Sequence, residues 1–147
     1  MSDLIEILDQ GCQRRVSWVV ARDLSTRSAR HRLDALSQKM TVALSDVADP
    51  LGEGWQDIAL ADAKFLAHNF AKAGIAYAHR DKFRRGIRDS RVTGFFDQFS
   101  ADGKAVTNWG HREGFSSGSA FTTSTMDRAF GVLDGEKTGI ICIEDED

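Results

Sequence analysis

At Gly94 the apolar pattern of this chain changes period, and that change limits what it can fold into. Before Gly94, apolar residues recur three and four apart, which is the repeat of a helix face. After it, short β-branched and aromatic runs are separated by Asp-Gly pairs, the turn chemistry of tight hairpins. The expectation is an α+β protein: an N-terminal bundle of three to four helices with a small C-terminal antiparallel β-sheet. A chain of 147 residues suits a single domain, here divided into a mainly helical part (1–93), a mainly β part (94–143) and an acidic tail (144–147).

Three to four helices are predicted. Ser2 is placed to cap the first, which would bury Leu4, Ile5, Leu8 and Cys12 and continue through Val16, Val19 and Val20 unless Gly11 breaks it. Ser25 or Thr26 opens the second, where Ala29, Leu33, Leu36, Met40, Ala43 and Val47 recur at spacings of four and three, a narrow seam of the kind packed helices share. A loop at Asp49–Gly54 holds the single proline. The third helix runs from about Trp55 to Ala73 with Ile58, Phe65, Leu66, Asn69 and Phe70 near one face, and Gly74 is placed to end or kink it. The fourth covers Ile75–Arg91 and closes at Gly94. Leu33, Leu36, Met40, Phe65, Leu66 and Phe70 are the expected core.

Beyond Gly94, Phe95–Phe99 and Ala105–Trp109 read as strands around Asp102-Gly103. Phe130–Leu133 and Ile140–Ile143 read as strands around Asp134-Gly135, and Gly110–Gly118 as a polar, glycine-rich loop.

The fourth helix carries the clearest functional signal. Arg80, Arg84, Arg88 and Arg91 stand at i, i+4, i+8 and i+11, within an arc of about 80°. Two of these spacings are like-charge i, i+4 pairs, each costing about 0.2–0.5 kcal/mol on an isolated helix, so the stripe is best tolerated with anions against it. With Arg85, these residues are the candidate anion- or partner-binding set. Residues 80–91 carry six cations against Asp81 and Asp89, and Glu144–Asp147 are all acidic, so the tail can cover the stripe or meet it between copies. A second basic cluster comprises Arg14, Arg15, Arg22, Arg27, Arg30 and Arg32. Thirteen arginines against six lysines favour forked contacts with phosphate or carboxylate. Overall charge is only −3, which excludes indiscriminate binding to polyanions driven by net charge.

The resulting expectation is a small non-enzymatic regulatory or accessory protein that binds nucleic acid or an acidic protein partner through its arginine-striped helix. The alternative is a self-assembling structural subunit of capsid, adaptor or scaffold type, forming a homo-oligomer. A third reading comes from Phe121-Thr122-Thr123-Ser124-Thr125 and the Glu-x-Glu pair Glu144/Glu146. Locally these resemble the arginine-type ADP-ribosyltransferases, and the resemblance implies a Ser/Thr strand supporting a nicotinamide pocket and Glu146 as the catalytic glutamate.

Other motifs read as structure. Gly114-Phe115-Ser116-Ser117-Gly118 has the letters of a nucleophile elbow, but a polar stretch precedes it and no histidine follows His111, so a flexible loop is expected. His31, His68, His79 and His111 are not spaced as a ligand set, and Cys12 and Cys142 form no Cys-x-x-Cys, so neither metal nor cofactor is expected. No uncharged apolar run approaches the roughly 20 residues of a membrane span, and with two cysteines and no secretory segment a cytoplasmic location is expected.

Overall fold

The computed structural model describes residues 4–10, 14–22, 32–38, 55–73, 85–112, 115–118, 126–135 and 137–145. The chain begins with strands, not helices. Strand β1 (Leu4–Gln10) pairs antiparallel with β2 (Arg14–Arg22) in continuous register from Leu4↔Val20 to Gln10↔Arg14. The expected N-terminal bundle of three to four helices is therefore corrected: the first element is a hairpin. Val16, Val19 and Val20 are β-branched and Trp18 is aromatic, which favours a pleated strand over a helix.

Three helical stretches lie among the described residues: α1 (32–38), α2 (Leu60–Ala73) and α3 (Ser90–Phe96). The remaining strands are β3 (Gln56–Ile58), β4 (Lys104–Thr107), β5 (Trp109–Arg112), β6 (Phe115–Gly118), β7 (Met126–Leu133) and β8 (Lys137–Asp145). Six of the strands form one antiparallel sheet in the order β1-β2-β8-β7-β4-β3, while β5 and β6 form a separate two-stranded ribbon. Three strands thus lie in the part expected to be mainly helical.

The sheet is covered on both faces. On one, Val16, Trp18 and Val20 of β2, Phe130 and Val132 of β7, and Ile141 and Ile143 of β8 pack with Ala63, Ala67, Phe70 and Ala71 of α2 and Val92, Phe95 and Phe96 of α3. On the other, Val19, Ala21, Ala129, Ile140 and Cys142 pack with Leu33 and Leu36 of α1 and with Trp55. Among the described residues, Leu33 and Leu36 of the expected seam thus rest on this chain's own sheet. Of the expected core, Leu33, Leu36 and Phe70 are buried, Phe65 and Leu66 are half-buried, and Met40 lies outside the described residues.

Phe95–Phe99 is not a strand. Asp89 caps α3, and Val92, Phe95, Phe96 and Phe99 fall at i, i+3, i+4 and i+7, which lays all four on the sheet when the backbone is helical. Phe95 is the hub, its ring 6.0 Å from Trp18, 5.0 Å from Phe96 and 5.3 Å from Phe99. The Asp134-Gly135 turn does join β7 to β8: the Asp134 N–H donates to Lys137 O at 3.0 Å, and the Lys137 N–H donates to Asp134 Oδ1 at 2.7 Å. No helix among the described residues is long and apolar enough to cross a membrane.

Candidate functional site

The segment carrying the arginines is not one continuous helix. Gly86 takes a left-handed φ of +82°, a conformation that costs glycine nothing and a residue with a Cβ much more. Residues 85–86 form a turn and 87–89 are non-helical, and helix restarts at Ser90. This break separates Arg91 from the rest of the expected stripe. Arg85 and Arg88 are exposed, on the approach to α3. Arg80 and Arg84 lie outside the described residues.

Arg91 faces inward. Its Nε donates to Asp89 Oδ1 at 2.9 Å and its Nη2 to Asp89 Oδ2 at 2.5 Å, a bidentate pair in which both side chains are nine-tenths or more buried. Nη2 also donates to Ala71 O, 3.3 Å away at the end of α2. Asp89 Oδ1 accepts the Arg91 backbone N–H at 3.0 Å as well, so one carboxylate both caps α3 and neutralises the guanidinium. Burial alone would raise the Asp89 carboxyl, but the side-chain and backbone hydrogen bonds from Arg91, with the charges of Arg91 and Lys72, more than offset it and hold the group below the usual aspartate range.

The other end of this join is His68. Its Nδ1 accepts the Asp89 backbone N–H at 2.9 Å, tying the middle of α2 to the residue that follows Arg88. Desolvation lowers the His68 pKa; Asp89 pulls it up, Arg88 lowers it further, and Asp97 raises it, with the net direction downward. As the acceptor of the Asp89 N–H, Nδ1 carries no proton in this arrangement. From sequence alone, His68 stands out only as one of four histidines not spaced as a metal-ligand set, and Asp89 only as a partial offset to the arginines. The available signal was an aspartate ahead of Ser90 and a 3–4 apolar repeat, which marks Asp89 as an N-cap.

A second polar cluster lies where β4 leaves the sheet. Thr107 Oγ1 donates to Ala129 O at 2.9 Å, the Asn108 N–H donates to the same oxygen at 3.2 Å, and the Ala129 N–H donates to Asn108 Oδ1 at 2.8 Å. Next to Ala129 on β7, the buried Arg128 guanidinium lies 4.7 Å from the Phe70 ring centre and 5.4 Å from that of Phe130. This cluster braces α2 against the sheet and offers no exposed charge.

The remaining motifs take other places. Ser116 sits on β6, opposite His111 of β5, so Gly110–Gly118 is largely a ribbon and not a loop, and the two described residues after Ser116, Ser117 and Gly118, continue that strand where an elbow would turn into a helix. Glu144, assigned by sequence to the acidic tail, is a buried residue of β8 opposite Arg15, and Asp145 is the last residue of that strand. Phe121–Thr125 and Glu146 lie outside the described residues, so the strand and catalytic glutamate of the ADP-ribosyltransferase resemblance do too. Among the described residues, no group of three or more His, Cys, Asp or Glu side chains is arranged to hold a metal ion. No family model, curated protein or solved structure matches the chain.

Proposed function

We propose that this protein is a small non-enzymatic binding module that engages nucleic acid through the basic segment leading into α3, with Arg85 and Arg88 as its described contacts and Arg80 and Arg84 as further contacts. One observation carries the reading: Asp89, the single acid between Arg85 and Arg91, is buried and closed on Arg91. Those two charges cancel, and Arg85 and Arg88 stay exposed with no hydrogen bond or ion pair to another described residue. Arginine supports phosphate as the target, because its planar fork matches a phosphate edge. An acidic protein surface presents carboxylates to the same fork and is the competing partner class.

The test is binding of a labelled oligonucleotide, followed by fluorescence anisotropy, with R85E/R88E as the variant. Loss of binding in a folded variant supports the proposal. Wild-type protein that ignores the oligonucleotide at low salt refutes it.

A second reading, self-assembly, is favoured by β1. Among the described residues it is an edge strand, seven residues long, LIEILDQ, with neither proline nor lysine and an unbroken register to β2. Edges of that kind pair with other strands unless something covers them. A solution mass above that of one chain, measured after nuclease treatment, would favour this reading.

A further inference from the structure

The His68–Asp89 contact gives the basic segment a proton-sensitive anchor. A neutral imidazole has one acceptor nitrogen, and here that nitrogen, Nδ1, receives the Asp89 N–H. A protonated ring has none, because both nitrogens then carry hydrogens, and no rotation of the ring restores an acceptor. Protonation therefore sets N–H against N–H and leaves a part-buried amide without its partner, an arrangement proteins rarely retain. Asp89 immediately follows Arg88, so the backbone freed is that of the arginine segment.

The charges around the ring fit the same device. Among the described residues, Asp89, Arg88 and Asp97 act on His68 electrostatically, while Lys64 and Lys72 stand one turn to either side of it on α2. The carboxylate that acts most strongly on His68 among the described residues, Asp89, is already occupied by Arg91 in two hydrogen bonds from the guanidinium. An imidazolium here joins a set that includes Arg88, and it adds a cation to the face proposed to meet nucleic acid.

We infer that His68 is a proton-operated latch on the Arg85–Arg88 segment: neutral, it holds the segment through the Asp89 amide; protonated, it releases the segment and adds its own charge to the anion-binding face. Nucleic acid is accordingly gripped more tightly under mildly acidic conditions. The inference rests on the proposed function for its consequence, but not for the latch itself.

His68→Asn separates the two. Asparagine presents an amide oxygen near the Nδ1 position, so it can still accept the Asp89 N–H, and it does not titrate. Wild-type protein and H68N are compared at about pH 8 and about pH 5, the range over which histidine changes charge. One readout is anisotropy with a labelled oligonucleotide, and the other is hydrogen-exchange protection of the Asp89 amide relative to its intrinsic rate. In the wild type, binding should tighten roughly five-fold more on acidification than in H68N, the effect of about one added cation near an anionic surface. Protection of the Asp89 amide should fall in the wild type and persist in H68N. Equal pH responses in the two proteins, or an Asp89 amide protected alike at both pH values, would overturn the latch. An oligonucleotide bound at neither pH would overturn the proposed function instead, and the amide measurement in wild-type protein would still decide the latch.

Discussion

Leu33 of α1 lies directly over Gly131 of β7: a Cβ added to the glycine would stand 2.7 Å from Leu33 Cδ2 and 2.9 Å from Val106 Cγ2. The absent side chain is what allows α1 to approach the sheet at this point. Gly131→Ala should therefore destabilise the fold by about 1–3 kcal/mol through overpacking. Leu33→Ala alone should cost about 2–5 kcal/mol as a cavity. Combined, the two should cost less than their sum, because each relieves the other. Urea denaturation of the four proteins checks this. Strict additivity would mean that α1 does not rest on Gly131.

Why the strands of the first half escaped a reading by pattern is visible in the same contact. A strand covered on one face alternates apolar and polar residues, but β2 is buried on both faces, with Val16, Trp18 and Val20 on one core and Val19 and Ala21 on the other. From Val16 to Ala21 its sequence is then apolar apart from the buried Ser17, which carries no clear period and is compatible with a buried helix segment. The Asp134-Gly135 hairpin was legible because its turn chemistry is local. Phe95–Phe99 was misread because three aromatics in five residues weigh towards strand, although their spacing with Val92 is helical. The arginine segment was legible as charge and not as geometry. Gly86 stands within the expected helix, and nothing local says whether a mid-helix glycine is tolerated or used at positive φ.

Asp89 and Arg91 should behave as a unit. Asp89→Ala removes the N-cap of α3 and leaves a nine-tenths buried guanidinium without its carboxylate, so a loss of about 3–5 kcal/mol is expected. Arg91→Ala strands the carboxylate in the same way. A loss under about 1 kcal/mol in either variant, measured by thermal or urea unfolding, would show that solvent reaches the pair.

Among the described residues, His68 and Asp89 have shifted pKa values, and each contributes to the pH dependence of stability with a definite sign. A group whose pKa is lower in the folded than in the unfolded protein stabilises the fold above its unfolded value, and that contribution is lost as pH falls through the folded value. For His68 the loss begins near the usual histidine value of about 6.5 and ends at the lowered folded one; for Asp89 it begins near the usual aspartate value of about 3.9. Urea midpoints should thus fall in two steps on acidification, and H68N should lack the upper one. An upper step that persists in H68N would assign it to another group.

Arg128 tests whether the contact with the Phe70 and Phe130 rings needs a planar cation. Lysine keeps the charge and loses the planar guanidinium that lies within reach of both rings. Arg128→Lys should cost about 1–2 kcal/mol, the range of a desolvated cation–π contact. A neutral effect on unfolding would leave charge alone as the requirement.

Binding of nucleic acid through Arg85 and Arg88 should depend steeply on salt. Each phosphate neutralised releases counterions, so the logarithm of affinity falls with the logarithm of salt concentration by about 0.7 per phosphate on a single strand. If Arg85 and Arg88 each meet one phosphate, R85E/R88E should lower that slope by at least about 1.4. Unfolding should stay within about 0.5 kcal/mol of wild type, because both positions are exposed. R91E is the contrasting variant: its residue is buried against Asp89, so it should lose stability first and binding only as a consequence. Removing Glu144–Asp147 should not unmask the basic segment cleanly, since Glu144 is buried in β8 and its loss shortens the strand that pairs with both β2 and β7. A truncated protein as stable as the full chain that binds the oligonucleotide more tightly would revive the tail as a cover. A double variant with an unchanged slope would remove Arg85 and Arg88 from the contact.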